Sequence, residues 1–168
     1  MTSTTRRVRV ARALLLAVVV LGLLYAWDQS RQPTAGTNWA LLGYRRIIGT
    51  PRSVRVISTP ADLASAWGDF LIPGDSSSVD LNRTLVVWFS NFGTQGCPSR
   101  LDNVVIDLAQ RVVAATFSRG FTFGCDTQLV PDSFLVRIDR SLLPPMPYTI
   151  TMVDPQAAGG VAAQTTVP

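Results

Sequence analysis

The chain has 168 residues, with 15 arginines, 11 aspartates and no lysine, glutamate or histidine. Without histidine it lacks the commonest general base and metal ligand near neutral pH. The net charge of +4 is carried entirely before residue 13, because eleven arginines and eleven aspartates follow Ala13, and this neutral remainder lacks the basic surface on which nucleic-acid binding rests.

Arg6, Arg7, Arg9 and Arg12 crowd the N-terminal flank of an uncharged apolar run, Ala13 to Trp27. Val10 to Trp27 spans eighteen residues, near the short limit of roughly 17 for a helix crossing a bilayer core. The charge asymmetry predicts a single-pass signal anchor. On that reading residues 1–12 are expected in the cytoplasm, 13–27 in the cell membrane, and everything after them outside the cytoplasm. Tyr25 and Trp27 sit at the far end, where amphipathic rings suit the interface. A cleaved signal peptide is the second reading, weakened by a bulky Leu24 where a small residue is wanted. A buried helix in a soluble protein is the third.

Residues 28–37 form a polar stalk broken by Pro33 and Gly36. A β domain is predicted over 38–155, beginning with a strand from Trp39 to Gly43. A second strand covers Ser53 to Ser58, where Val54 and Val56 alternate with Arg55. Thr59-Pro60-Ala61-Asp62 is a helix start, with Thr59 as cap and Pro60 at the first helical position. Leu63, Trp67, Phe70 and Leu71 give that helix one apolar face, and Pro73-Gly74 stops it. Leu85 to Ser90 is apolar enough for a central strand. Asn91 to Arg100 is a loop holding Cys97. Val104 to Leu108 and Arg111 to Phe117 form a hairpin, and Ser118 to Pro131 is a loop holding Cys125. Phe134 to Ile138 and Tyr148 to Val153 are the last two strands, joined across a Pro-rich connector. Residues 156–168 are expected to be a flexible tail. One helix among six or seven short strands predicts a mainly antiparallel β-sandwich or half-open barrel.

Outside the cytoplasm an even pair of cysteines is expected to be a disulfide, here Cys97–Cys125, with two buried thiols as the alternative. The flanking loops are rich in Gly and Phe. Phe92, Gly96, Phe121 and Phe123 are therefore a candidate partner surface, against the plainer reading that the rings pack over the open end of the sandwich. Asp126 and Asp132, like Asp75 and Asp80, flank loops without calcium-loop spacing and are expected to be solvated. Ser76-Ser77-Ser78 has no base beside it, and Gly159-Gly160 lacks the strand and helix of a phosphate loop. No catalytic residue, metal site or cofactor is expected.

The run from Leu42 to about Pro155 resembles a family of small secreted or membrane-anchored bacterial domains, the PrcB C-terminal domain and its relatives. The features that carry it are Gly43, the strand ending at Ile57-Ser58, a short helix with Trp67, and the Val79-Asp80-Leu81 step. The strand Leu85 to Phe89, a Gly-rich turn before two strands, and the Pro147-Tyr148 step complete the set. In relatives from high-GC bacteria, a Cys-Pro step like Cys97-Pro98 and a later cysteine like Cys125 accompany it. The resemblance implies a β-rich accessory module of a surface protein complex, with no catalytic residues to carry over. The expected function is a membrane-tethered accessory subunit docking another membrane or envelope protein. A binding module for a small ligand or glycan is the alternative.

Overall fold

Leu85, Val86, Val87 and Phe89 are all fully buried because the strand that carries them is covered on both sides. In the computed structural model, which describes residues 14–22, 33–46, 48–50, 52–94, 96–119, 125 and 127–168, that strand lies within the first of two sheets. The strands are β1 (Trp39–Arg46), β2 (Ser53–Ile57), β3 (Thr84–Thr94), β4 (Ser99–Asp107), β5 (Val112–Arg119), β6 (Leu129–Asp139), β7 (Tyr148–Val153) and β8 (Val161–Val167). They form two four-stranded sheets, ordered β1-β6-β3-β2 and β4-β5-β7-β8. All pairings are antiparallel except β5 with β7. The Pro-rich connector after β6 carries the chain from one sheet to the other, so β7 arrives beside β5 in parallel.

The expected β-sandwich is therefore present. Its core sits between the sheets, where Leu85, Val87, Phe89, Phe134, Val136 and Ile138 face Leu101, Val104, Val113, Phe117, Ile150 and Met152. Phe117 is central, with ring centroids 5.9 Å from Phe89 and 5.1 Å from Phe134. Both contacts fall in the range of favourable tilted aromatic pairs.

Residues 14–22 are helical (α1), and a second helix, α2 (Pro60–Asp69), lies over the outer face of the first sheet. Leu63, Ala66 and Phe70 pack there on Ile57, Val86, Trp88 and Leu135. Thr59 caps α2 as expected. Its hydroxyl accepts from the Asp62 amide at 3.1 Å and donates to the Asp62 carboxylate at 2.7 Å. Thr59→Ala should lower the unfolding free energy by about 1 kcal/mol, read from the urea midpoint, while Thr59→Ser keeps most of it. The predicted apolar face errs at Leu71. The helix stops at Asp69 and Leu71 turns to φ +53°, 70% exposed, while Ala66 and Ile72 take the contacts.

Residues 156–168 are not a loose tail. β8 pairs with β7 from Tyr148↔Val167 to Val153↔Val161, and Ala162, Ala163 and Val167 pack against the core. Small side chains suffice there because the ladder supplies the backbone partners. β3 and β4 also run further than expected, shrinking the 91–100 loop to a turn between Thr94 and Ser99.

No helix among the described residues is long and apolar enough to cross a membrane, so the expected transmembrane helix is unsupported. The nine described residues of α1 would reach only about 13 Å. Arg6, Arg7, Arg9, Arg12, Ala13 and residues 23–27, including Trp27, lie outside the described residues.

Candidate functional site

One end of the sandwich gathers the finish of β1, β3, β5 and β7 and the start of β4 and β6. Two backbone bonds close the β3–β4 turn, from Thr94 to the Cys97 carbonyl at 2.8 Å and from Cys97 to the Thr94 carbonyl at 3.1 Å. Cys97, fully buried, forms a disulfide with exposed Cys125 across a Cα–Cα distance of 5.2 Å. The expected bond is present. It ties this turn to the segment between β5 and β6.

Beneath the turn lies a buried polar cluster that sequence reasoning missed. Asp132, expected to be solvated, has no exposure at all. It stands in register between Arg46 on β1 and Asn91 on β3. Its Oδ1 accepts from Arg46 Nε at 2.9 Å and Tyr44 OH at 3.0 Å. Its Oδ2 accepts from the Ser99 amide at 2.7 Å. Arg46 Nη2 reaches on to the Thr94 carbonyl at 2.6 Å. Asn91 Nδ2 donates to Ser99 Oγ and to Asp154 Oδ2, each at 3.1 Å. Gly93 allows the close approach, since a Cβ there would fall 1.9 Å from Asp132 Oδ2. Three donors satisfy the carboxylate, which makes the cluster a tie between two sheets and a turn.

Burial first, then the neighbouring Asp132 carboxylate, pushes the Tyr44 hydroxyl far above its usual value of 10.0. A raised folded-state value means that the neutral hydroxyl's contribution is complete below pH 10 and is lost as pH rises above it. Tyr44→Phe should therefore flatten the alkaline limb of stability against pH. Because Tyr44 is still neutral near pH 10, the substitution should change no phenolate absorbance there.

The predicted partner-surface residues divide. Phe92 is half-buried on the outer face of β3, with the Arg52 guanidinium 5.4 Å from its ring centroid. Gly96 lies in the turn beside Cys97. Phe121 and Phe123 lie outside the described residues, as does Asp126. Two residues along β3, on the same face as Phe92, Ser90 and Ser133 meet at 3.1 Å, and Ser133 donates to the Ile48 carbonyl at 2.6 Å. Trp88, two residues further, donates to Ser133 at 3.1 Å and carries Arg55 at 4.5 Å from its ring centroid.

Asp75 and Asp80, expected to be solvated, are exposed turn formers, as is Asp139, which its spacing does not single out. Asp75 caps the Ser76–Ser78 turn, and Asp139 caps Arg140–Leu142. Hydrogen bonds from the Ser77 and Ser141 amides hold both below the usual carboxylate value. Gly159 and Gly160 turn the chain into β8 with positive φ. Among the described residues no group of three or more His, Cys, Asp or Glu is placed to hold a metal.

No protein-family model, no curated protein and no solved structure matches the chain.

Proposed function

We propose that the protein is a membrane-tethered, non-catalytic accessory subunit. On this reading its N-terminus is cytoplasmic and its β domain docks another membrane or envelope protein from the outer side, as the PrcB-like resemblance implies. The observation that carries the tether is the surface of residues 14–22. Leu14, Leu15, Leu16, Val18 and Leu21 are each 63–68% exposed, and none of them belongs to either hydrophobic core among the described residues. At about 25 cal/mol per Å², so much bare aliphatic surface favours burial, and a bilayer supplies it. The Cys97–Cys125 bond supports the outer placement, because such bonds persist in oxidising compartments.

The ligand-binding alternative gains less. The two larger described cavities, about 510 and 380 Å³, lie at the end away from Phe92. They are lined mostly by Ser, Thr, Asn and aliphatic side chains, with Trp39 the single aromatic ring.

Two measurements test the proposal. N-terminal sequencing of the membrane-extracted protein should find the chain intact ahead of Ala13. A chain beginning beyond Trp27 would overturn the anchor. Gentle solubilisation should retain a second protein at constant ratio, and recovery as a monomer would overturn the docking role.

A further inference from the structure

We infer that the outer face of β2 and β3 binds an acidic protein segment, whose carboxylates are received by Arg52 and Arg55. This rests on the accessory-subunit reading and names the chemistry of its partner. No aspartate occurs from residue 32 to 61, a span that holds Arg45, Arg46, Arg52 and Arg55. Two of these four are engaged within the domain. Arg46 pairs with buried Asp132, and Arg45 donates to the Asp69 carbonyl at the end of α2. Arg52 and Arg55 are exposed, and neither has a carboxylate within ion-pair distance among the described residues.

Both guanidinium groups are instead held against aromatic rings, Arg52 over Phe92 and Arg55 over Trp88. An aromatic ring occupies the flat face of a guanidinium and leaves its N–H edge free for a planar carboxylate. The stacking also restrains long side chains that binding would otherwise have to order. Phe92 and Trp88 are four residues apart on one face of β3, a separation of about 13 Å that a single extended segment can span.

Beside Arg55 the surface sinks into a cavity of about 130 Å³, lined by Gly49, Thr50, Ser53, Arg55 and Trp88. That is room for one carboxylate side chain, with hydroxyls at its rim. The cavity is preformed. Ser133 bonds the Ile48 carbonyl, and the backbone presses so close at Gly49, at φ +83°, that a Cβ would come 2.8 Å from the Ser133 hydroxyl. A cavity sized for one carboxylate beside only two open arginines favours a protein segment over a phosphate polymer, whose charges would call for a continuous basic track.

The test uses the full chain in nanodiscs of zwitterionic lipid, with a rhodamine-labelled octa-aspartate peptide followed by fluorescence anisotropy. Binding should weaken at least tenfold in Arg52→Ser/Arg55→Ser, and should hold within twofold in Arg83→Ser/Arg111→Ser at the opposite end. Arg55→Lys, which keeps the charge but not the planar edge, should fall between. An equal loss in both double variants, or no binding by the unaltered chain, overturns the inference. So does polyphosphate binding with the same arginine dependence in place of the peptide. Copurification separates the two levels. A partner retained equally by the native chain and by Arg52→Ser/Arg55→Ser defeats this surface and leaves the accessory role standing. If the native chain retains no partner, the accessory role fails, and the peptide measurement alone decides the surface.

Discussion

Asp132→Asn should lower the unfolding free energy by about 3 kcal/mol or somewhat more, the low end of the range for removing one partner of a buried ion pair, because the Arg46 side chain is 31% exposed. The substitution conserves shape, so the loss is electrostatic rather than a cavity effect. Whichever way the new amide lies, its NH₂ meets a donor. In one orientation it faces the Ser99 amide, now 2.7 Å from Oδ2, and in the other it faces Arg46 Nε and Tyr44 OH. No rotamer satisfies all three donors, and unsatisfied buried groups bear the full desolvation cost. For a domain of this size the midpoint of thermal unfolding should fall on the order of 10–20 °C. Gly93→Ala should also be severe, here for a steric reason, because its Cβ would occupy the carboxylate's place. In an Asp132→Ala background it should cost less than it does alone but stay destabilising, since the 1.9 Å clash is gone while the Ser99 backbone nitrogen remains 2.7 Å away. The check is the urea midpoint with unchanged slope. A cost below about 1 kcal/mol for Asp132→Asn would show that the cluster does not hold this end together.

How much of this was legible follows from which kinds of residue carry it. The strands with strict alternation, such as Val54–Val56 and Phe134–Ile138, and the Thr59-Pro60 helix start announce themselves through local periodicity and capping. Each is present within a few residues of where the pattern places it. The disulfide was legible because only two cysteines exist and the N-terminal pattern implies an oxidising compartment. Asp132 was not. A buried aspartate in Val130-Pro131-Asp132-Ser133 looks like loop polarity until register is known. Register places Arg46 on one side of it and Asn91 on the other, 86 and 41 positions away in the chain. β8 was missed for a related reason. Val161 to Val167 has almost no large side chain, so hydropathy is silent, and the strand exists because β7 offers an open edge. The Arg52 and Arg55 stacks likewise depend on which face of β3 carries Trp88 and Phe92, and adjacency in sequence says nothing about that.

Loss of the disulfide should be the other large effect, and an asymmetric one. The bond closes a loop of about 29 residues, for which the chain-entropy estimate is on the order of 3.5 kcal/mol. Cys125→Ala removes that contribution and little more, because Cys125 is exposed. Cys97→Ala removes it and also empties a site with no solvent exposure, beside Thr94 and above the Asp132 cluster. It should therefore be the more costly of the two by about 1 kcal/mol. The double substitution should match Cys97→Ala closely, since the bond is lost only once. Denaturant midpoints of the three variants, with reduced native protein as a fourth, check the order. Equal costs for the two single variants would mean that the turn collapses around the missing sulfur. The Thr94–Cys97 backbone pair would then be held by the bond alone rather than by the polar cluster beneath it. If the order holds, the loop is fastened twice. The covalent tie sets the stability of the segment between β5 and β6, while the Asp132 network keeps β1, β3, β4 and β6 in register even after reduction. In that case Asp132→Asn and Cys125→Ala should couple by about 0.5 kcal/mol or more, because both ties act on the short turn between Thr94 and Ser99.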